Sequence, residues 1–269
     1  MIKKLDHVAI AVKSITTAMD TLEQTLGLSG PRPEPREGRG MKIVMLPMRN
    51  TQLELFEPVD PQGAVASFLD KTGEGMYHIC LEVDSVDETL SALATRGVEL
   101  TEKVSRSVGF AKIAFLPPQA ARGVVIELME RVEELVPGPQ AAPSVSTVIV
   151  AVKDLEQGIK DFSQVLGIGP SRVSQNPHIS VRNALFPVGD THIELMQPTS
   201  TAGALVRFLE RQGEGLYSLF VAVENFDAHL HALVSKGIAV TEGADPSRRR
   251  GFLSPKSTCG VLVEFHQRD

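Results

Sequence analysis

The sequence predicts an α+β fold: four βαβββ units paired into two domains. Three observations carry this expectation. A small repeat returns after about 70 residues, a larger one returns after 140, and each small repeat mixes strand-like apolar runs with one amphipathic helix.

In the small repeat, Leu5–Val12 (LDHVAIAV) returns 71 residues later as Met76–Val83 (MYHICLEV), and Gln52–Glu57 (QLELFE) returns 73 residues later as Val125–Glu130 (VIELME). In the larger one, a shift of 140 lays Val8–Lys13 on Val148–Lys153, Thr51–Pro58 on Thr191–Pro198 and Phe68–Tyr77 on Phe208–Tyr217. The Pro- and Ala-rich stretch 136–144 suits a semi-rigid joint. The expected division is a first domain over 1–132, a linker over 133–144 and a second domain over 145–269.

Each element has a local reason. Residues 5–12 form a short, partly β-branched apolar run, a strand by length. From Ser14 to Leu26, Ile15, Met19, Leu22 and Leu26 fall on one helical face, and Gly27 and Gly30 follow as stop signals. Strands are expected at 41–47 and 51–57 around the turn Met48-Arg49-Asn50. The second unit repeats the order, with a strand at 77–83, a helix from Val86 to Ala94, a turn at Arg96-Gly97 and strands at 111–116 and 123–129. Room remains in each unit for one more short strand.

The strand alternation selects candidate ligands. Side chains of a strand point alternately to opposite faces. His7 therefore shares a face with Ala9 and Ala11, and Glu54 shares one with Gln52 and Phe56, while the opposite faces are apolar. His78 and Glu127 occupy the matching positions of the second unit. A lone strand His is ordinarily a satisfied core or surface residue, and a lone Glu is the polar half of an alternation. Four such residues at equivalent points of a repeat predict a metal site instead. Two imidazoles and two carboxylates suit one divalent ion of borderline hardness: Zn, Co, Ni, Mn or Fe(II). The absence of thiolate ligands points to a catalytic rather than a structural site.

Composition excludes several classes. The net charge of −6 and the lack of Trp argue against a nucleic-acid binder. Cys80 and Cys259 are far apart in apolar settings, so they are expected as reduced thiols of a cytoplasmic protein. No apolar run has the length of a membrane span, and a strand by Leu5 leaves no room for a signal peptide.

The paired strand–helix–strand units carrying His, Glu, His and Glu resemble the vicinal oxygen chelate superfamily, whose members include glyoxalases, extradiol dioxygenases, bleomycin-resistance proteins and methylmalonyl-CoA epimerases. Residues 1–130 are most similar to the epimerases, through Leu5–Val12, Thr51–Pro58, Gly73–Asp84 and Gly123–Leu128. The resemblance implies two glyoxalase-like domains, with His7, Glu54, His78 and Glu127 as ligands to a metal that chelates substrate oxygens and stabilises an enolate. It further implies a small-molecule substrate of the acyl-CoA class, Glu127 as a catalytic acid/base, and Glu37 as its counterpart on the loop before the third strand. Pro117-Pro118-Gln119 departs from the family's His-Pro-Lys, and Tyr77-His78 departs from its His-His. A glyoxalase-like lyase, a dioxygenase and a metal-free binding protein are the alternatives within the superfamily. Internal fusion leaves both a monomer and a homodimer open.

The second half lacks the imidazoles. Thr147 stands where His7 does and Ser218 where His78 does, while Glu194 and Glu264 persist. This half is therefore expected to be a degenerate domain without a complete metal site. Two carboxylates buried together would raise one another's pKa. His266 shares the Glu264 face and is expected at the surface, as are Arg248-Arg249-Arg250. The loop Pro255–Gly260 keeps the Pro-Lys form that the first half has lost.

Overall fold

The computed structural model describes residues 1–28, 40–133, 138–243 and 249–268. Module 1 comprises β1 (Ile2–Ala11), α1 (Ile15–Leu26), β2 (Met41–Pro47), β3 (Gln52–Pro58) and α2 (Ala64–Thr72). Module 2 comprises β4 (Gly75–Val83), α3 (Val86–Thr95), β5 (Arg106–Ser107), β6 (Ala111–Leu116) and β7 (Ile126–Arg131). Module 3 comprises β8 (Ser144–Ala151), α4 (Leu155–Leu166), β9 (Arg172–Asn176), β10 (Val181–Val188), β11 (Thr191–Pro198) and α5 (Ala204–Gln212). Module 4 comprises β12 (Gly215–Val223), α6 (Phe226–Ser235), β13 (Val240–Glu242), β14 (Arg250–Leu253) and β15 (Leu262–Gln267). The βαβββ order is complete in modules 2 to 4. The described residues of module 1 show three of its strands, with 29–39 lying outside them.

Each half contributes one curled sheet. The first has strand order β2-β3-β1-β4-β7-β6-β5 and the second has β13-β14-β15-β12-β8-β11-β10-β9. In both, the first strand of a module runs parallel to its last and the hairpin strands run antiparallel.

One local device recurs in all four modules and sets where each helix begins. The N-cap side chains of Ser14, Ser85, Asp154 and Asn225 each accept the backbone N–H three residues on, satisfying one of the orphan donors of a helix start and contributing about 1 kcal/mol each. A second orphan, the N–H of the first helical residue, is taken by a side chain at the end of the partner strand. Glu57 accepts from Ile15 at 2.8 Å, Glu130 from Val86 at 3.1 Å, Gln197 from Leu155 at 3.2 Å and Gln267 from Phe226 at 2.9 Å. Each acceptor lies three residues beyond Glu54, Glu127, Glu194 or Glu264. Helix start and candidate ligand strand are thereby tied together. At Glu57 burial raises the pKa, but Lys42 at 2.6 Å and the Ile15 amide outweigh it and hold the carboxyl below its usual range. Its stabilising share is therefore present at neutral pH and fades as the carboxyl protonates in acid.

Two helices lie beyond the sequence expectation. The segments that form α2 and α5 each have nine residues, too few for a clear helical period, and both start at a glycine without a side-chain cap. Helix α2 lies on the sheet face that carries the candidate ligands. Val65 and Leu69 of α2 pack on Ala9, Ala11 and Phe56, on the His7 and Glu54 face. The small Ala9 and Ala11 side chains let the helix approach there. The boundaries otherwise differ modestly; the strand expected from 123 begins at Ile126.

Contacts divide the chain into two compact units, and each joins segments of both halves. One contains Met1–Asp6, His78–Val136 and Thr147–Tyr217; the other contains His7–Tyr77, Pro137–Ser146 and Ser218–Asp269. In the first, Arg122 reaches Glu214 at 2.7 Å and Asp161 at 3.5 Å, and Glu214 also accepts the Lys153 N–H at 2.6 Å. A Cβ on Gly123 would meet the Glu214 carbonyl oxygen at 2.1 Å. The second unit repeats the arrangement: Glu74 accepts the Lys13 N–H at 2.8 Å, and a Cβ on Gly260 would lie 1.7 Å from the Glu74 oxygen. Beside it Cys259 is buried, which pushes its thiol up to about 12. Among the described residues no helix is long and apolar enough to cross a membrane.

Gly260 has a φ of 78°, so a side chain there meets both backbone strain and a hard contact. Gly260→Ala is expected to cost roughly 2–4 kcal/mol in urea unfolding. An unchanged unfolding midpoint would contradict this account of how the module 4 loop docks.

Candidate metal centre

The strand registers bring the predicted ligands together pairwise. On parallel β1 and β3, His7 is opposite Gln52 and Ala9 opposite Glu54, so His7 and Glu54 share a face one step apart. His7 Nε2 stands 3.0 Å from Glu54 Oε2. On parallel β4 and β7, Cys80 is opposite Glu127, which places Glu127 on the face of His78. His78 Nε2 stands 3.1 Å from Glu127 Oε2. Both imidazoles are 1% exposed, and both carboxylates are buried. Phe115, opposite Glu127 on β6, sets its ring at right angles to His78 with centroids 5.6 Å apart.

Ligand atoms of His7, Glu54, His78 and Glu127 all lie within 4.8 Å of one another. Asp6, His7 and Cys80 form a second close group. That group is a poorer ligand set, because Asp6 accepts two hydrogen bonds from the Arg131 guanidinium. Burial alone would lower the Arg131 pKa, but Asp6 outweighs it and keeps the guanidinium more firmly charged. Buried carboxylates need compensating positive charge. Each imidazole of the quartet touches a carboxylate, and two imidazoles with two carboxylates form a donor set that fits a borderline divalent cation. Glu37, the other predicted catalytic residue, lies outside the described residues.

The second half handles its two carboxylates differently. Asn183 donates to Glu194. Arg250 meets the buried Glu264 at 2.7 Å, and its guanidinium lies 5.7 Å over the Phe220 ring. Arg250 is opposite His266 on β15, as Ile113 is opposite Met129 on β7, so it occupies the position of an apolar residue in the first half. The expectation of a solvated arginine run is thereby corrected at this residue. Arg249 does stay exposed, paired with Asp227, and Arg248 lies outside the described residues. His266 is half-buried, with Nε2 2.9 Å from Ser146 Oγ, rather than at the open surface. The strand register, rather than the residue pattern, reveals Arg250, by setting an arginine at an otherwise apolar position beside the retained Glu264.

Arg250→Met leaves Glu264 without this partner in a buried setting and is expected to cost about 2–4 kcal/mol. Arg250→Ile combined with Glu264→Leu is expected to recover most of that loss, because both charges are gone. Chemical denaturation of the single and double variants checks it. A single variant as stable as the wild type would contradict the pairing.

Comparisons with known proteins agree with this architecture. The family model described as "Glyoxalase/Bleomycin resistance protein/Dioxygenase superfamily" matches residues 6–116 and again 147–252. An uncharacterised protein of Bacillus subtilis is 35% identical over 128 residues, covering 47% of this chain and 91% of its own. The mitochondrial methylmalonyl-CoA epimerase of Dictyostelium discoideum is 31% identical over 132 residues, covering 48% of this chain and 80% of its own. A mutant of 4-hydroxymandelate synthase from Streptomyces coelicolor matches in fold over 100% of this chain and 94% of its own, with a TM-score of 0.77 at 15% identity. The chain belongs to the glyoxalase/bleomycin resistance/dioxygenase superfamily, and the family model matches it twice.

Proposed function

We propose that His7, Glu54, His78 and Glu127 hold one divalent metal ion and that the protein is a metal-dependent epimerase. Its substrate would be an acyl thioester of the methylmalonyl-CoA kind. The observation that carries this reading is the convergence of two buried His–Glu pairs, with their ligand atoms within 4.8 Å. Support for the reaction comes from relatives named methylmalonyl-CoA epimerase, each similar over about half of this chain.

When bound, the metal acts as a Lewis acid on a carbonyl and makes the adjacent C–H acidic. The remaining steps fall to residues of this chain. The two imidazoles, buried and fixed against Glu54 and Glu127, hold the ligand geometry without needing to rearrange. The Glu127 carboxylate, 3.1 Å from His78, is placed to take a proton from one face of the acidified carbon. Glu37, from the segment between α1 and β2, is our candidate for returning a proton to the other face. Phe115 walls His78 off and helps exclude water. The choice among Zn, Co, Ni, Mn and Fe(II) rests on geometry and supply as much as affinity. A net charge of −6 does not favour nucleic acid as a partner, and we place the protein in the cytoplasm as a monomer by internal fusion or a homodimer.

Elemental analysis of the purified full chain should find about one tightly held metal per chain, lost in His7→Ala. Wild-type protein that takes up neither Co nor Zn would sink the metal reading. In deuterium oxide, the α-hydrogen of methylmalonyl-CoA should exchange in the presence of the enzyme, and Glu127→Gln should slow that exchange by roughly 10²–10⁴-fold. Absence of exchange with the metal-loaded wild type would remove this substrate while leaving the metal centre standing.

A further inference from the structure

We infer that Arg106 grips a carboxylate of the substrate at the rim of the ligand face in module 2, which makes it a specificity-determining residue. This rests on the proposed function and assigns a residue of this chain to the free carboxylate that such a substrate carries.

The sheet register puts Arg106 on the right face. It is opposite Ile113 on β6, Ile113 is opposite Met129 on β7, and Met129 lies two residues past Glu127. Directly opposed residues share a face, so Arg106, Ile113, Met129 and Glu127 are all on the side that carries His78. The guanidinium is held by stacking. Its carbon lies 5.2 Å over the Phe115 ring, and that ring stands against His78. One aromatic ring thus separates the cation from a candidate metal ligand.

Its hydrogen-bonding capacity is largely unused. The ion pair with Glu102 is long at 3.8 Å, with Arg106 exposed and Glu102 half-buried. One Glu102 oxygen is already engaged, accepting the Phe115 N–H at 2.9 Å. The second guanidinium on this face, Arg131, is committed to Asp6 and lies under Phe110. Lys112, on the opposite face of β6, is paired with Glu130 at 3.2 Å. Arg106 therefore presents a planar fork of donors, pre-oriented by an aromatic ring, where a bidentate carboxylate fits. The anion belongs to the acyl portion of the substrate, because the phosphates of a CoA carrier sit at the far end of its pantetheine arm.

The test is calorimetric titration of the full chain, apo and metal-loaded, with malonate, propionate and ADP as probes. Arg106→Gln should weaken malonate about tenfold, the size of one charge-assisted contact at a half-exposed site. Propionate and ADP should stay within about twofold of the wild type, and Arg106→Lys should recover part of the malonate loss. Unchanged malonate affinity, an equal loss for propionate, or a loss confined to ADP would each overturn the assignment. Metal content is measured in the same samples. A protein that takes no metal defeats the proposed function, while the dependence of malonate on Arg106 is still scored in the apo state.

Discussion

Carboxylates placed inside a protein must be compensated, and this constraint organises the molecule. Every module carries a glutamate at the same point of its last strand or of the strand paired with its first. Glu54, Glu127 and Glu264 are buried and Glu194 is half-buried. An unpaired charge in such a setting costs several kcal/mol. The first half meets the requirement with imidazoles, which leaves a set of donors suited to a cation. The second half meets it with the Asn183 amide and the Arg250 guanidinium. The chemical difference between the halves follows from which groups face the same four glutamates.

The geometry that makes this compensation possible is supplied by ordinary backbone demands. Three residues past each glutamate, a Glu or Gln takes the first N–H of the module's helix, so the strand that carries the glutamate also fixes where the helix starts. Gln replaces Glu at this point in both modules of the second half. An amide oxygen accepts the same hydrogen bond, so the tether survives where the charge does not.

Much of this was legible in the residues. The repeat announced four modules, and strand alternation set His7 on the face of Glu54 and His78 on that of Glu127, because a period of two fixes the face once the strand is known. Helices α2 and α5 were not legible. Nine residues between glycines carry too short a period, and their stability comes from packing on Ala9, Ala11 and Phe56 in the one case described by that cluster. Arg250 was not legible either, because an arginine run resembles a solvated loop until the β14–β15 register shows which residue opposes His266. Arg106 gave no sequence signal either, since its significance depends on a two-residue strand that only pairing defines.

Cobalt anomalous scattering from crystals of the full chain is the most direct test of the central claim that the metal binds in the first half and an arginine replaces it in the second. A single peak is expected, ligated by His7, Glu54, His78 and Glu127, with none at Glu194 or Glu264. A peak beside Glu264, or no peak at His7 and His78 in cobalt-soaked crystals, would contradict it.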